Sequence, residues 1–326
     1  MATKKDLTPP KKKDKYRIRN WRKYNQSLVN RGSITFWVNK ESQAKWYSVE
    51  KAEGPGRPEV YSDDAIRCGL MIKAVFHTAL RQLQGLVSSL IEILGFDLEC
   101  PHYSGFSRRA KDLEIPMRKF LKPGEHLNVV FDSTGIKVFG EGEWKVRKHG
   151  YSKRRTWRKI HVGMCADSGQ VVVSAVTSND VSDDAAMLAM IDALNGIPIG
   201  DVLGDGAYDT TDCREAIYDA GGKSVIPPDK NACIQKRDQI PCLAERDRVI
   251  KRIAELGEEG RALWKKESGY HRRSRVETFM FRCKTILGDK FSSRKWGNQV
   301  TEARIKLDVL NRMTELGMPK SYKVLV

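Results

Sequence analysis

No stretch of this 326-residue chain approaches the roughly 18 consecutive apolar residues needed to cross a bilayer. The segment Met1 to Asn20 lacks the apolar core of an export signal and is rich in lysine instead. Seven cysteines (Cys68, Cys100, Cys165, Cys213, Cys233, Cys242 and Cys283) are scattered, odd in number and nowhere spaced as Cys-x-x-Cys. That pattern argues against both a disulfide framework and a thiolate zinc site, and favours reduced thiols. No internal repeat occurs, and the only biased tract is the lysine-rich start. These absences lead to the expectation of a cytoplasmic protein without a membrane partner.

What the chain has in excess is positive charge. Fifty-eight Lys and Arg against 41 Asp and Glu leave +17 at neutral pH. Such a surface gains affinity for polyanions by releasing their counterions, so nucleic acid is the expected partner. Ribosome association or plain solubility is the blander alternative. Hydrophobic residues at 40% suffice for a real core, and the length suits one large domain or two ordinary ones.

The composition changes along the chain. Residues 1 to 23 carry ten basic side chains, and 1–58 reads as a basic arm, disordered at least up to Tyr16, and a linker at Lys51 to Pro58. Residues 59–122 read as helical. Ser62 is placed to cap a helix beginning Asp63-Asp64. A second helix runs from about Thr78 to Leu94 and stops at Gly95. Ser104 is placed to cap a third, which carries Arg108 and Arg109. Three short helices ending in a basic one suggest a helix-turn-helix DNA reader, although a plain helical bundle gives the same pattern.

From 123 to 326 the pattern is α/β. Leu127 to Phe131 reads as a buried strand ending in Asp132. Ile160 to Ala166 and Val171 to Val176 flank a hairpin turn at Asp167-Ser168-Gly169. A helix from Asp183 to Leu194, a strand reaching Asp205, a helix from Thr210 to Ala220 and a strand at Ser224 to Ile226 follow. This alternation predicts a mixed sheet flanked by helices. Helices are also predicted over 250–264, 275–287 and 298–316, with about 230–268 forming a small helical insertion. Trp264 suits base stacking or a buried core equally.

Asp132 and Asp205 each follow an apolar strand, where open α/β sheets present functional groups. Two such carboxylates on neighbouring strands would repel without a cation between them. Each alone also fits an ordinary turn. Glu277 fits a capping box with Ser274, but it also belongs to a longer series: Tyr270-x2-Arg273-x3-Glu277-x6-Lys284.

That series matches the C-terminal signature of the DDE transposases of bacterial insertion sequences. With Phe131-Asp132-Ser133-Thr134-Gly135, Arg147-Lys148-His149-Gly150 and Gly204-Asp205-Gly206-Ala207-Tyr208-Asp209, the chain resembles the insertion sequence five family. Within it, the subgroup flanking a kanamycin-resistance transposon is the most similar. The resemblance covers about Gly56 to Met318. It implies a ribonuclease H-like core in which Asp132, Asp205 and Glu277 hold Mg²⁺, with Mn²⁺ able to substitute, at two ion positions. Such ions suit oxygen donors and in-line displacement at phosphorus. It further implies that Tyr270, Arg273 and Lys284 meet DNA near the scissile phosphate, and that a homodimer or larger unit works on paired element ends and target DNA.

A second basic segment carries Lys145, Arg147, Lys148, Lys153, Arg154, Arg155, Arg158 and Lys159. No acidic residue occurs from Lys145 to His161, and Trp144, Tyr151 and Trp157 are interleaved, a combination suited to nucleic acid. Two rival functions remain open: a nuclease of the same superfamily that cuts without joining, and a DNA-binding regulator with an unused site.

Overall fold

The β-branched runs in the middle of the chain pair into a five-stranded sheet, in the order β4-β3-β2-β5-β6. The strands are β2 (Leu127–Lys137), β3 (Trp157–Cys165), β4 (Val171–Ser178), β5 (Ile199–Leu203) and β6 (Lys223–Val225). β2, β3 and β4 form an antiparallel meander, whereas β5 and β6 run parallel to β2, so the sheet is mixed. The chain therefore has the α/β architecture expected, a mixed sheet flanked by helices. The computed structural model describes residues 15–38, 40–49, 59–117, 125–138, 157–236 and 239–324.

Successive side chains of β2 alternate between two cores, as strand geometry requires. Val129 and Phe131 pack with Met187, Met190, Cys213 and Ile217, from α7 (Asp183–Asp192) and α8 (Thr211–Asp219). Val130 points to the opposite face and joins Val276, Phe279, Leu307 and Leu310, from α11 (Ser274–Leu287) and α12 (Trp296–Leu316). Asp132 shares the side of Val130, so the alternation aims it at α11.

The N-terminal segment holds β1 (Lys15–Ile18), α1 (Trp21–Arg31), α2 (Ile34–Trp37), α3 (Lys40–Ala44), α4 (Asp63–Phe76), α5 (Leu80–Ile93) and α6 (Tyr103–Arg109). α4 lies on α12: Arg67 donates to Asp308 through Nε at 3.0 Å and Nη2 at 2.8 Å. Ile66, Met71 and Phe106 share one core with Val130 and Leu307. α12 thus joins the helical segment to the sheet. It also closes an edge strand, because the Asn311 side chain accepts from Val171 N–H and donates to Val171 C=O, both at 2.8 Å.

Several local expectations are corrected. Lys15 and Tyr16, read as part of a disordered arm, belong instead to β1, which pairs antiparallel with β7 (Ser321–Val324). β2 does not end at Asp132 but continues to Lys137, because β3 pairs with it from Val129 to Lys137; cross-strand pairing overrides the turn propensity of Ser-Thr-Gly. The third N-terminal helix is capped by His102, not Ser104. The helix expected over 250–264 is two helices, α9 (Pro241–Glu255) and α10 (Gly260–Glu267). The break falls at Gly257, whose φ of 77° lies in the left-handed region. Ser62 caps α4 as expected, accepting from Ala65 N–H at 3.1 Å.

Candidate active site

Three elements deliver the three carboxylates to one place. Asp132 comes from β2, Asp205 from the turn after β5, and Glu277 from the first full turn of α11. All three meet the guanidinium of Arg273, in the 3₁₀ turn Tyr270–Arg273 just ahead of α11. Nη2 lies 3.4 Å from Asp132 and 3.4 Å from Asp205, and Nη1 lies 2.5 Å from Glu277. The capping box is not formed: the N-cap position makes no side-chain hydrogen bond, Ser274 donates to His271 C=O, and Glu277 turns to Arg273.

The site is graded from core to solvent. Side-chain exposure rises from 17% at Asp132 through 41% at Asp205 to 56% at Glu277. Burial pushes the Asp132 carboxyl above its ordinary range. Arg273 opposes that shift, while the neighbouring charges of Asp205 and Glu277 add to it. Burial acts to lower the Arg273 pKa, but Tyr270 and the three carboxylates outweigh it and hold the guanidinium charged. Tyr270 is half-buried, with its phenol pushed up first by burial. It lies beside Trp264, with ring centres 6.3 Å apart, and under the ammonium of Lys265 at 4.9 Å. Trp264 is a core residue, 6% exposed.

Local structure holds Asp205 in place. Its side chain accepts from Ala207 N–H at 2.9 Å and starts the 3₁₀ turn Gly206–Tyr208. Gly204 before it packs so closely on Tyr208 that an added Cβ would stand 2.8 Å from the ring. Asp209 then anchors the turn's far side. It accepts from Arg214 Nε at 2.7 Å and from Arg246 Nη2 at 2.9 Å, with both Asp209 and Arg214 only 1% exposed. Arg214 also donates to Ile226 C=O at 3.1 Å, and Arg246 belongs to α9 of the insertion.

Sequence reasoning did not single out Tyr208, Asp209 or Asp183 for roles. Burial raises the Tyr208 phenol, with the charges of Asp183, Asp132 and Asp205 adding to the effect. Asp183 at the start of α7 also takes Lys159 at 3.4 Å and faces the buried His161 at 3.5 Å. Burial pushes the His161 imidazole down. Tyr208 and Asp209 lie inside the motif around Asp205 and could have been found by extending it. Nothing in the sequence links Asp183 to the site, and Lys159, read as part of the basic DNA-contacting segment, pairs with Asp183 instead.

The other predicted contacts fall in different places. Lys284 lies two turns along α11 from Glu277. Arg158 is turned inward, donating to Gln299 at 3.0 Å with its guanidinium 4.8 Å from the Trp296 ring. Arg109 donates to Tyr61 C=O at 2.8 Å and pairs with Asp63 at 2.5 Å and Glu59 at 2.8 Å, whereas its neighbour Arg108 is exposed. Trp144, Arg147, Lys148, Tyr151, Lys153, Arg154 and Arg155 lie outside the described residues, as does the linker over 51–58.

Three carboxylates against one guanidinium leave a net deficit of two positive charges. A donor set made only of carboxylate oxygens suits a hard divalent cation. Among the described residues no three such side chains already stand as a closed metal cage. The residues fit the ion chemically, and Arg273 marks where positive charge is wanted.

An α/β protein with carboxylates supplied by a central strand, its parallel neighbour and a following helix defines a class of acid-dependent centres. The family is given by comparison of the sequence. A model described as a transposase DDE domain matches residues 123–312, more than half of the chain, and another of the same description matches residues 29–141. The chain belongs to the DDE transposase family. It is also similar to the piggyBac transposase in a cryo-EM synaptic complex with hairpin DNA, at 12% identity and a TM-score of 0.41, covering 88% of this chain and 73% of that one.

Proposed function

We propose that this chain is the transposase of a bacterial insertion sequence of the insertion sequence five type, built on a ribonuclease H-like core. In this reading it binds the element's terminal repeats, cuts phosphodiester bonds at the ends and joins the freed 3′-hydroxyls to target DNA. The observation that carries the reading is the convergence of Asp132, Asp205 and Glu277 on a single guanidinium from three separate elements, in a chain of this family.

Asp132, Asp205 and Glu277 would hold divalent metal, Mg²⁺ or Mn²⁺ at two positions. When bound, such ions supply Lewis-acid activation of the attacking oxygen and charge neutralisation at the leaving oxygen. Asp132 is the least exposed of the three and supplies a fixed ligand on a sheet strand. Glu277, exposed at the start of α11, can adjust as DNA enters. Arg273 would exchange its carboxylates for phosphate oxygens, which its planar fork can grip in bidentate fashion. Lys284 would add a point charge further along the same helix, and Tyr270 would flank the strand from the side of the insertion. Cutting and joining then need no second site, because only the nucleophile changes from water to a 3′-hydroxyl.

On this proposal the segment 59–122, with Arg108 exposed on α6, is the helix-turn-helix-like reader of element ends, 1–58 is the arm and linker before it, and 123–326 is the catalytic domain. The basic residues of 145–155 would hold target or flanking DNA. Two or more copies would act on paired ends, in the cytoplasm at the nucleoid.

The test is strand cleavage and strand transfer on labelled element ends with Mg²⁺ or Mn²⁺. Wild type should join ends to a second duplex. Asp132→Ala, Asp205→Ala and Glu277→Ala should each bind DNA yet lose about a thousandfold or more in rate. Cutting that survives loss of any one carboxylate overturns the site. Cutting without joining overturns the transposase reading in favour of a nuclease, and binding without cutting under either metal favours a regulator.

A further inference from the structure

Two arginines at the C-terminal end of α12 have no part in the catalytic reading. Arg31 closes α1, and Arg282 lies in the second half of α11. Arg31 Nη2 donates to Gly317 C=O at 3.3 Å, and Arg282 Nη1 donates to Thr314 Oγ1 at 3.3 Å. Thr314 C=O in turn accepts from Gly317 N–H at 3.1 Å, so both contacts fall on one turn. Tyr24 joins them from α1, its ring centre 5.9 Å from the Arg31 guanidinium carbon. Arg31 Nε and Arg282 Nη2 are covered and meet no acceptor among the described residues. Buried donors without a partner are rare in folded proteins.

Among the described residues no carboxylate balances this pair. α1 has no acidic residue, and Glu277, the acid of α11, faces Arg273. On α12, Glu302 accepts from Ser292 and Ser293, Asp308 pairs with Arg67, and Glu315 accepts from Gln170 at 3.0 Å. Burial pushes the Arg282 guanidinium down, and the charge of Arg31 adds to the shift, as two cations held close require. Burial also lowers Arg31, opposed by Tyr24.

The end of a helix attracts cations, which is the simplest account of both side chains, but it falls short in magnitude. A helix C-terminus carries about half a negative charge, against two full positive ones here. The acceptors are also shared: Gly317 C=O accepts from Ser27 Oγ at 3.3 Å as well, and Thr314 gives its own proton to Leu310 C=O at 2.8 Å. Arg67, Arg214 and Arg246 are each neutralised by an aspartate. Two planar forks with spare N–H groups, close together and without an acid, match one oxyanion held between them. Both residues stay partly exposed, so the pair is open to solvent on one side.

We infer that Arg31 and Arg282 bind a phosphate group between α1 and α11, at a site separate from the carboxylate centre. Arg282 is five residues beyond Glu277, which turns it about 140° around α11. The two therefore lie on opposite flanks of the face that buries Val276, Phe279 and Cys283, and the phosphate is not the one that would meet the carboxylates. A DNA backbone phosphate and free phosphate share this chemistry. The backbone source rests on reading the chain as one that acts on DNA.

The first test follows thermal melting of the full chain as sodium phosphate replaces sodium chloride at constant ionic strength. Phosphate should raise the wild-type midpoint. Arg31→Gln and Arg282→Gln should each raise the phosphate concentration needed at least about tenfold, the loss of one charged hydrogen bond. Without phosphate, Arg282→Gln should melt no lower than wild type, because it removes a repulsion. Arg81→Gln, at another arginine beside a tyrosine ring, should leave the response intact. The second test follows anisotropy of a labelled duplex of about 30 base pairs across NaCl concentrations. With a backbone phosphate as occupant, either variant and the double should all reduce the log–log salt slope by the same amount, about 0.9, because one contact is lost. A phosphate response that needs both arginines, with the slope unchanged, assigns the site to free phosphate. The inference is overturned if phosphate protects wild type no better than chloride and the slope does not change. It is also overturned if both variants lower the midpoint equally with and without phosphate, as plain helix caps would. Should Arg282→Gln melt too early to measure, Arg31→Gln and Arg282→Lys decide, with lysine keeping part of the response. If wild type cuts and joins DNA but neither measurement depends on these arginines, only this inference fails. If both depend on them but wild type never cuts, the catalytic reading fails and the phosphate site stands.

Discussion

Two guanidinium–carboxylate clusters flank the turn after β5, and they are opposite in balance. At Asp209, one carboxylate is shared by Arg214 and Arg246 in a site almost closed to solvent. At Arg273, one guanidinium is shared by Asp132, Asp205 and Glu277, in a site that opens progressively to solvent. The first has its anion fully hydrogen-bonded and joins three parts of the fold: the turn, α8 and the insertion. The second has more negative charge than its one cation can satisfy. A buried charge that is fully paired belongs to the scaffold, whereas a surplus of like charge held close together is maintained only where another cation is to arrive. The difference separates the residue that positions Asp205 from the residues that would act with it.

The largest effect expected from this comparison is at the scaffold cluster. Asp209→Ala leaves Arg214 and Arg246 without their carboxylate and should cost about 3–5 kcal/mol in urea unfolding, the range for breaking a buried pair from one side. A loss below about 1 kcal/mol would make Asp209 a surface-like pair and erase the contrast.

A smaller effect is expected on ion affinity. Arg273→Gln removes the cation that stands among the carboxylates, so Mn²⁺ titrated into the protein without DNA should bind about tenfold more tightly, a change of about 1.4 kcal/mol. Weaker binding would mean that Arg273 organises the carboxylates for the ion instead of competing with it.

The smallest effect has the opposite sign to the first. Asp132→Asn relieves both burial of charge and repulsion from Asp205 and Glu277 and should stabilise the protein at neutral pH by about 1 kcal/mol. Because the folded Asp132 pKa is raised, its contribution to stability is fully present below the unfolded value and is lost as pH rises through the folded one. The advantage of Asp132→Asn in thermal melts should therefore be small in acid and grow as pH climbs out of the ordinary carboxylate range. A gap that is constant with pH, or that shrinks as pH rises, would remove Asp132 from the charge surplus.

Much of this arrangement is legible one element at a time. The Val-Val-Phe run before Asp132, the hairpin turn at Asp167-Ser168-Gly169 and the helix stops at Gly95 and Gly221 are local signals, and each element formed close to its expected place. The spacing of Tyr270, Arg273, Glu277 and Lys284 is also local, since one turn and one helix carry all four. Elements whose form depends on distant partners were misread. Ser133 to Gly135 look like a turn but are held extended by β3. Lys15 to Ile18 look like a tail but pair with residues some 300 positions away in sequence, as the bond from Lys320 to Asn20 records. The capping box at Ser274 is plausible by spacing, yet Arg273 lies nearer to Glu277 once the turn before α11 is formed.

By itself the sequence determined the alternation of strands and helices, the excess of positive charge and the identity of three carboxylates, because periodicity, composition and short motifs are properties of neighbouring residues. Only the tertiary structure decided that Arg273 would stand among all three, that Asp209 would anchor the turn, and that Lys15–Ile18 would pair with Ser321–Val324. Those outcomes depend on which surfaces α12 and the sheet bury together. Residues far apart in sequence come within hydrogen-bond reach only after that burial has been made.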